Sequence, residues 1–137
     1  MFSHVTVGAD DLEAAGRFWD AVLSPLGLRR RAVEPDGGPD ALCWVGARVP
    51  YPRFYVYRPF DGRPARAGNG AMLSFIAPSR AAVRTAWQAG CAAGGMSEGA
   101  PGLRERYGPD YFGAYLRDPA GNKLCLVHRP ALEPFGA

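Results

Sequence analysis

The 137-residue chain has few of the groups that build metal sites and disulfide frameworks: two histidines, His4 and His128, and three cysteines, Cys43, Cys91 and Cys125. The cysteine number is odd and no pair has CxxC spacing, which argues against a disulfide scaffold. No apolar run approaches the ~20 residues of a membrane-spanning helix. The start, MFSHVTVGADD, lacks the basic stretch and apolar core of a secretory leader, so a cytoplasmic location is expected. Lysine is almost missing: Lys123 stands alone among 16 basic residues, and the net charge is only +3. The arginines are scattered. Their one run, Arg29-Arg30-Arg31, follows an expected helix end, where cations complement the helix dipole. Without a helix-turn-helix or zinc-finger pattern, no nucleic-acid partner is expected, and no membrane partner either.

What remains is an ordinary globular composition, 47% hydrophobic and 21% charged, of a length that suits one domain. Eighteen glycines and thirteen prolines imply many turns between short elements. The chain also repeats itself. His4-Val5-Thr6-Val7 aligns with Met72-Leu73-Ser74-Phe75, and without a gap Ala9 then meets Ala77, Trp19 meets Trp87 and Gly27 meets Gly95. Two halves with one strand-then-helix pattern argue for a duplicated unit, whose cleft is expected on the pseudo-twofold axis.

In the first half, Phe2 to Val7 reads as a strand and Asp10 or Asp11 as a helix cap. Leu12, Ala15, Phe18, Trp19, Val22 and Leu23 recur at helical spacing, and Pro25 and Gly27 end the helix. Further strands are expected at Arg29 to Val33, Ala41 to Gly46 and Arg53 to Arg58. In the second half, a strand over Ala71 to Ile76 leads to a helix opened by Pro78-Ser79, with either Ala77 or Ser79 near the cap, and stopped by Gly94-Gly95. Met96 to Tyr107 reads as irregular, with at most one short strand. Tyr111 to Leu116 and Lys123 to His128 read as strands around the turn Asp118-Pro119-Ala120-Gly121-Asn122, and the tail after Pro130 as loosely ordered. The order βαβββ-βαβββ gives an α+β domain: module one 1–60, a linker 61–69 and module two 70–130.

Three segments resemble a known superfamily: His4 to Val7 with Asp11-Leu12-Glu13-Ala14-Ala15, Phe18-Trp19 and Leu26-Gly27-Leu28; Gly68 to Arg80; and Tyr115 to Leu124. Together they resemble the glyoxalase/bleomycin-resistance/extradiol-dioxygenase proteins, also called vicinal oxygen chelate proteins. The Asp118-Pro119-x-Gly121-Asn122 turn is the most specific element. The resemblance implies two βαβββ modules with curled mixed sheets around a cleft, and a homodimer. In metal-dependent members the first and last strands of each module hold one divalent ion, typically through His or Gln, His, and Glu.

Carried over position by position, that ligand set is broken. His4 stands at the first position, but Met72 stands where a second His is usual and Cys125 where the closing Glu is usual. The stretch from Tyr51 to Arg58, which should supply the fourth, has no Asp, Glu or His, and its register is ambiguous because Tyr55-Val56-Tyr57-Arg58-Pro59 also mimics Leu126-Val127-His128-Arg129-Pro130. His4, Met72 and Cys125 would make a soft N/S/S set, unsuited to an oxygen-chelating divalent ion. No metal and no other cofactor is therefore expected. The expected function is binding of a small aromatic or amphipathic molecule in a cleft lined by His4, Trp44, Tyr55, Tyr57, Met72, Tyr111, Tyr115 and Cys125. Arg53, Arg58, Arg104 and Arg106 would meet an anionic group on it, and Trp19 and Trp87 would be core. The alternatives are a metal-dependent lyase, isomerase or dioxygenase with a rearranged set recruiting Glu98 or Glu105, and a module that uses its sheet for partner contacts.

Overall fold

A computed structural model describes residues 1–131, so most of the tail after Pro130 lies outside the described residues. Module one runs through β1 (His4–Gly8), α1 (Leu12–Leu23), β2 (Leu28–Arg31), β3 (Ala41–Gly46) and β4 (Arg53–Tyr57). Module two repeats the order with β5 (Leu73–Ile76), α2 (Arg80–Ala92), β6 (Met96–Leu103), β7 (Phe112–Arg117) and β8 (Lys123–His128). The fold is α+β, with two open four-stranded mixed sheets ordered β1-β4-β3-β2 and β5-β8-β7-β6. In each sheet the first strand pairs parallel with the fourth and the other pairs are antiparallel.

Local chemistry sets the helices. Asp11 caps α1, its Oδ1 accepting from the Ala14 amide at 3.0 Å, and Ser79 caps α2 in the same way through the Ala82 amide at 3.0 Å. A short 3₁₀ turn, Ser24–Leu26, follows α1, and Gly27 closes it in the left-handed region with φ 86°. The helices pack on each other where Gly90 faces α1. A Cβ there would meet Val22 and Leu116 at 2.8 Å, so only hydrogen fits.

One core joins the modules. Trp19 of α1 lies 4.5 Å from Phe54 of β4 and 5.7 Å from Phe75 of β5, and those two phenylalanines meet edge-on at 5.3 Å. Each such ring pair adds about 0.5–1.5 kcal/mol beyond its area burial. Trp87, expected in the core, is only partly buried and donates to Ser97 Oγ at 3.2 Å.

The Asp118–Asn122 turn is a second join. Asp118 is 4% exposed. Its Oδ1 accepts from the amides of Ala120 and Asn122 at 3.0 and 2.8 Å, and its Oδ2 from Trp19 Nε1 at 3.2 Å. Asn122 Nδ2 reaches across to the Gly8 carbonyl at the end of β1, at 2.9 Å. The buried carboxylate is thus surrounded by donors, as burial requires, and the β7–β8 turn is fastened to the strand and helix of the other module.

One expectation about elements is corrected. Met96 to Leu103 is an eight-residue strand along β7, with register shifts between Ser97 and Gly99 and between Gly99 and Gly102. Gly99, Pro101 and Gly102 hide it in the sequence. A bulged edge strand tolerates them because one side of its backbone needs no partner.

Candidate functional site

β4 reads Arg-Phe-Tyr-Val-Tyr, and the pleat sorts it. Phe54 and Val56 enter the core, while Arg53, Tyr55 and Tyr57 stay half-buried on the face turned away from the helices. Register places His4 beside Arg53 and Thr6 beside Tyr55 on β1, and Cys43 beside Tyr55 on β3. The His4 ring meets Tyr55 edge-on at 5.8 Å, and Tyr55 and Tyr57 lie 5.5 Å apart. Arg53 donates to the hydroxyls of Tyr55 and Tyr51, both at 3.2 Å, and stacks on the Tyr51 ring. Over this face lies an open cavity of about 490 Å³, lined by Arg31, Val33, Asp36, Arg53, Tyr55 and Tyr57. Burial pushes the Tyr57 phenol above its usual value, helped by the neighbouring Tyr55 and Asp36, so it remains a neutral donor.

Module two carries a different lining on its matching face. Tyr111, Cys125 and Val127 form a small buried cluster flanked by Tyr115. Tyr111 Oη lies 3.2 Å from Cys125 Sγ and 3.0 Å from Tyr115 Oη. Room for the Tyr111 ring comes from Gly113, where a Cβ would meet it at 2.8 Å. Burial raises the Tyr111 phenol far above its ordinary value, and its bonds to Cys125 and Tyr115 add to the effect. Tyr115 is raised too, by burial first, with the Tyr111 hydrogen bond partly opposing. Arg129 lies 4.6 Å over Tyr111, and Arg104 and Lys123 flank the Tyr115 ring at 5.7 and 5.8 Å.

Two backbone bonds establish which residues correspond. The Ala9 amide donates to Tyr57 O at 2.9 Å, and the Ala77 amide to Val127 O at 2.8 Å. Tyr57 therefore matches Val127, and Tyr55 matches Cys125. The alternative register, Tyr55 with Leu126, would turn Tyr55 into the core. Since Cys43 pairs with Tyr55 and Tyr115 pairs with Cys125, the modules hold the same Cys–Tyr pair with the strands exchanged.

The expected site residues are thus divided. His4, Tyr55 and Tyr57 share the open face, and Tyr111, Tyr115 and Cys125 share the closed one. Met72 lies one residue before β5 and is 42% exposed. Trp44 is the correction: its ring is fully buried on the helix side, with Nε1 donating to Asp20 Oδ1 at 2.9 Å. β3 is apolar on both faces, so its parity could not be read from composition. Of the expected arginines, Arg53 lies beside the open face, Arg58 borders a separate cavity beyond the end of β4, Arg104 lies beside Tyr115 and Arg106 over Tyr107. Cys43 and Arg31, which the sequence reading left out of the site, join the open face. Burial raises the Cys43 thiol, opposed by the Tyr55 hydroxyl and by Arg53 and Arg31.

The donors do not suit a divalent metal. The four family ligand positions hold an imidazole, a phenol at Tyr55, a thioether and a buried thiol, with no carboxylate among them. No group of three or more His, Cys, Asp or Glu able to hold a metal occurs among the described residues. Glu98 is held by Arg117 Nε at 2.6 Å.

The family model for a glyoxalase-like domain matches residues 4–127. A glyoxalase/bleomycin resistance protein from Albidiferax ferrireducens T118 is 40% identical with a TM-score of 0.81, over 95% of this chain and 99% of that one. The fold is also similar to a glyoxalase-related enzyme from Fulvimarina pelagi, at 19% identity and TM-score 0.69 over 95% and 88% of the two chains. It is similar as well to a lactoylglutathione lyase from Agrobacterium tumefaciens, at 20% and 0.59 over 93% and 92%. No curated protein matches. With the match running from the first strand to the last, the chain belongs to the glyoxalase-like family of the glyoxalase/bleomycin-resistance/dioxygenase superfamily.

Proposed function

We propose that this protein binds a small aromatic or amphipathic molecule on the open face of its module-one sheet, without a divalent metal, and that it works as a homodimer. One observation carries the reading. At the family's ligand positions that face presents Tyr55 and His4, and Tyr55, Tyr57 and Arg53 line a cavity of about 490 Å³. Rings on either side stack on a planar guest, and Arg53 marks the polar end. The closed face adds little contact, because Cys125 is fully buried beneath Tyr111.

The test pairs metal analysis with probe binding. Protein incubated with Zn, Ni, Mn or Fe(II) and desalted should retain well under one ion per chain. A planar apolar probe such as 2-naphthol should bind, and Tyr55→Ala should weaken it by about 3- to 10-fold, the worth of one aromatic contact. One tightly held ion per chain, lost in His4→Ala, would overturn the metal-free reading. Unchanged naphthol binding in Tyr55→Ala would overturn the placement.

A further inference from the structure

The segment after β4 is not a slack tether. The Ala65 amide donates to Asp10 Oδ1 at 2.9 Å, Gly62 to Pro59 O at 3.1 Å and Arg63 to Asp61 Oδ1 at 3.0 Å. Pro59 and Pro64 stiffen it further. Against β1 it packs so closely that a Cβ on Gly8 would touch Ala65 at 3.4 Å. Between this flap, the end of β1 and the loop before β3 lies a cavity of about 650 Å³, a volume ordinary for small-molecule sites.

Three guanidinium groups, Arg58, Arg63 and Arg66, line it together with the rings of Tyr57 and Phe60. Among the described residues the only ion pairs are Arg30–Asp20 and Arg117–Glu98, so none of these three arginines has a carboxylate partner. Two carboxylates also border the space, but each has an oxygen engaged in a turn: Asp36 with the Gly38 amide at 2.8 Å and Asp61 with the Arg63 amide at 3.0 Å. Phe60 is 91% exposed, a ring left in water unless something covers it.

From this arrangement we infer a second binding site, for an aromatic anion: a planar ring between Tyr57 and Phe60, with a phosphate or carboxylate held by Arg58, Arg63 and Arg66. Guanidinium forks suit either oxyanion. Tyr57 and Asp36 border both this cavity and the proposed open-face site, and the two sites otherwise use different side chains.

The experiment is calorimetric titration of the intact protein with 2-naphthyl phosphate, 2-naphthoate and uncharged 2-naphthol. At least one anion should bind about tenfold or more tighter than the naphthol, with affinity falling as salt rises. Whichever anion binds tighter identifies the headgroup. The exposed double substitution Arg63→Ala/Arg66→Ala should remove most of that advantage while leaving naphthol binding and the melting temperature unchanged. Tyr55→Ala should do the reverse, which separates failure of this site from failure of the other. Equal binding of anions and naphthol, or an anion advantage that survives the double substitution, would overturn the inference.

Discussion

At the centre of module one's outer face stands Tyr55, half-buried, in contact with Arg53 and beneath an open cavity. At the matching position of module two stands Cys125, fully buried, with a tyrosine hydroxyl at 3.2 Å and no accessible surface. The difference arises from one extra ring. Tyr111 enters from just before β7 and lies over Gly113, filling the space that module one leaves open. A duplicated scaffold has thus kept its backbone and its Cys–Tyr pair while one copy presents an open face and the other a packed one. Position in the fold alone does not assign function; what covers the position does.

The sharpest way to break this comparison is to place the family's glutamate at both matched positions. Cys125→Glu puts a carboxylate into the buried cluster of Tyr111 and Val127, where the cations of that face, Arg129 and Lys123, lie over the Tyr111 and Tyr115 rings. An uncompensated buried charge costs on the order of 3–5 kcal/mol. Tyr55→Glu puts the same group on an open face beside Arg53, and its cost should stay below about 1 kcal/mol. Denaturant midpoints compare the two. Desolvation would raise the pKa of a glutamate at 125 above its unfolded value, so its penalty should be greatest near neutral pH and shrink toward acid. Equal costs at both positions would mean that the two faces do not differ in access to water.

Much of this was legible in the sequence. The duplication and the order of elements followed from periodicity and turn chemistry, and each helix cap was narrowed to two residues, of which Asp11 and Ser79 are the ones that cap. The β3 and β8 boundaries, Ala41–Gly46 and Lys123–His128, agree with those read from the residues. The Asp118 turn stood out as the most specific element, yet its role in joining modules was hidden, because its partners Trp19 and Gly8 lie in the other half. The site was legible only in part. Alternation along β4 selected Tyr55 and Tyr57 as a pair but did not say which side faced the core, and the ambiguity was a one-residue slip that inverts the face. Trp44 failed for a related reason, since β3 buries residues on both sides. Nothing in the residue string signalled that Tyr111 would cover Cys125, a contact between elements that depends on the missing side chain at 113.

Tyr111→Phe sharpens the comparison from the closed side. It keeps the ring and deletes the hydroxyl that meets Cys125 and Tyr115, so a loss of about 1 kcal/mol is expected in the denaturant midpoint. The alkaline limb of stability should change as well. The folded protein holds the Tyr111 and Tyr115 phenols above their unfolded values. Their contribution is complete below about pH 10, the unfolded tyrosine value, and is lost as pH rises beyond it, because the unfolded chain ionises more readily. Tyr111→Phe should therefore flatten the alkaline decline. An unaltered slope would show that the pair does not stay protonated in the native state.

The smallest effects test the two cations that correspond across the pseudo-twofold, Arg53 and Lys123. Each begins the last strand of its module, paired with His4 on one side and abutting Tyr115 on the other. Neither forms an ion pair among the described residues, so Arg53→Ala and Lys123→Ala should each change stability by no more than about 0.5 kcal/mol. Their consequences for binding should separate. Arg53 borders the open cavity, and its loss should weaken 2-naphthol by about 3- to 10-fold, the worth of one hydrogen bond from a charged donor, while anion binding at the second site is unchanged. Lys123 borders the packed face and should leave both titrations unchanged. A matching loss from Lys123→Ala would mean that bound ligand spans both faces, and the separation between an open module and a packed one would not describe the bound state.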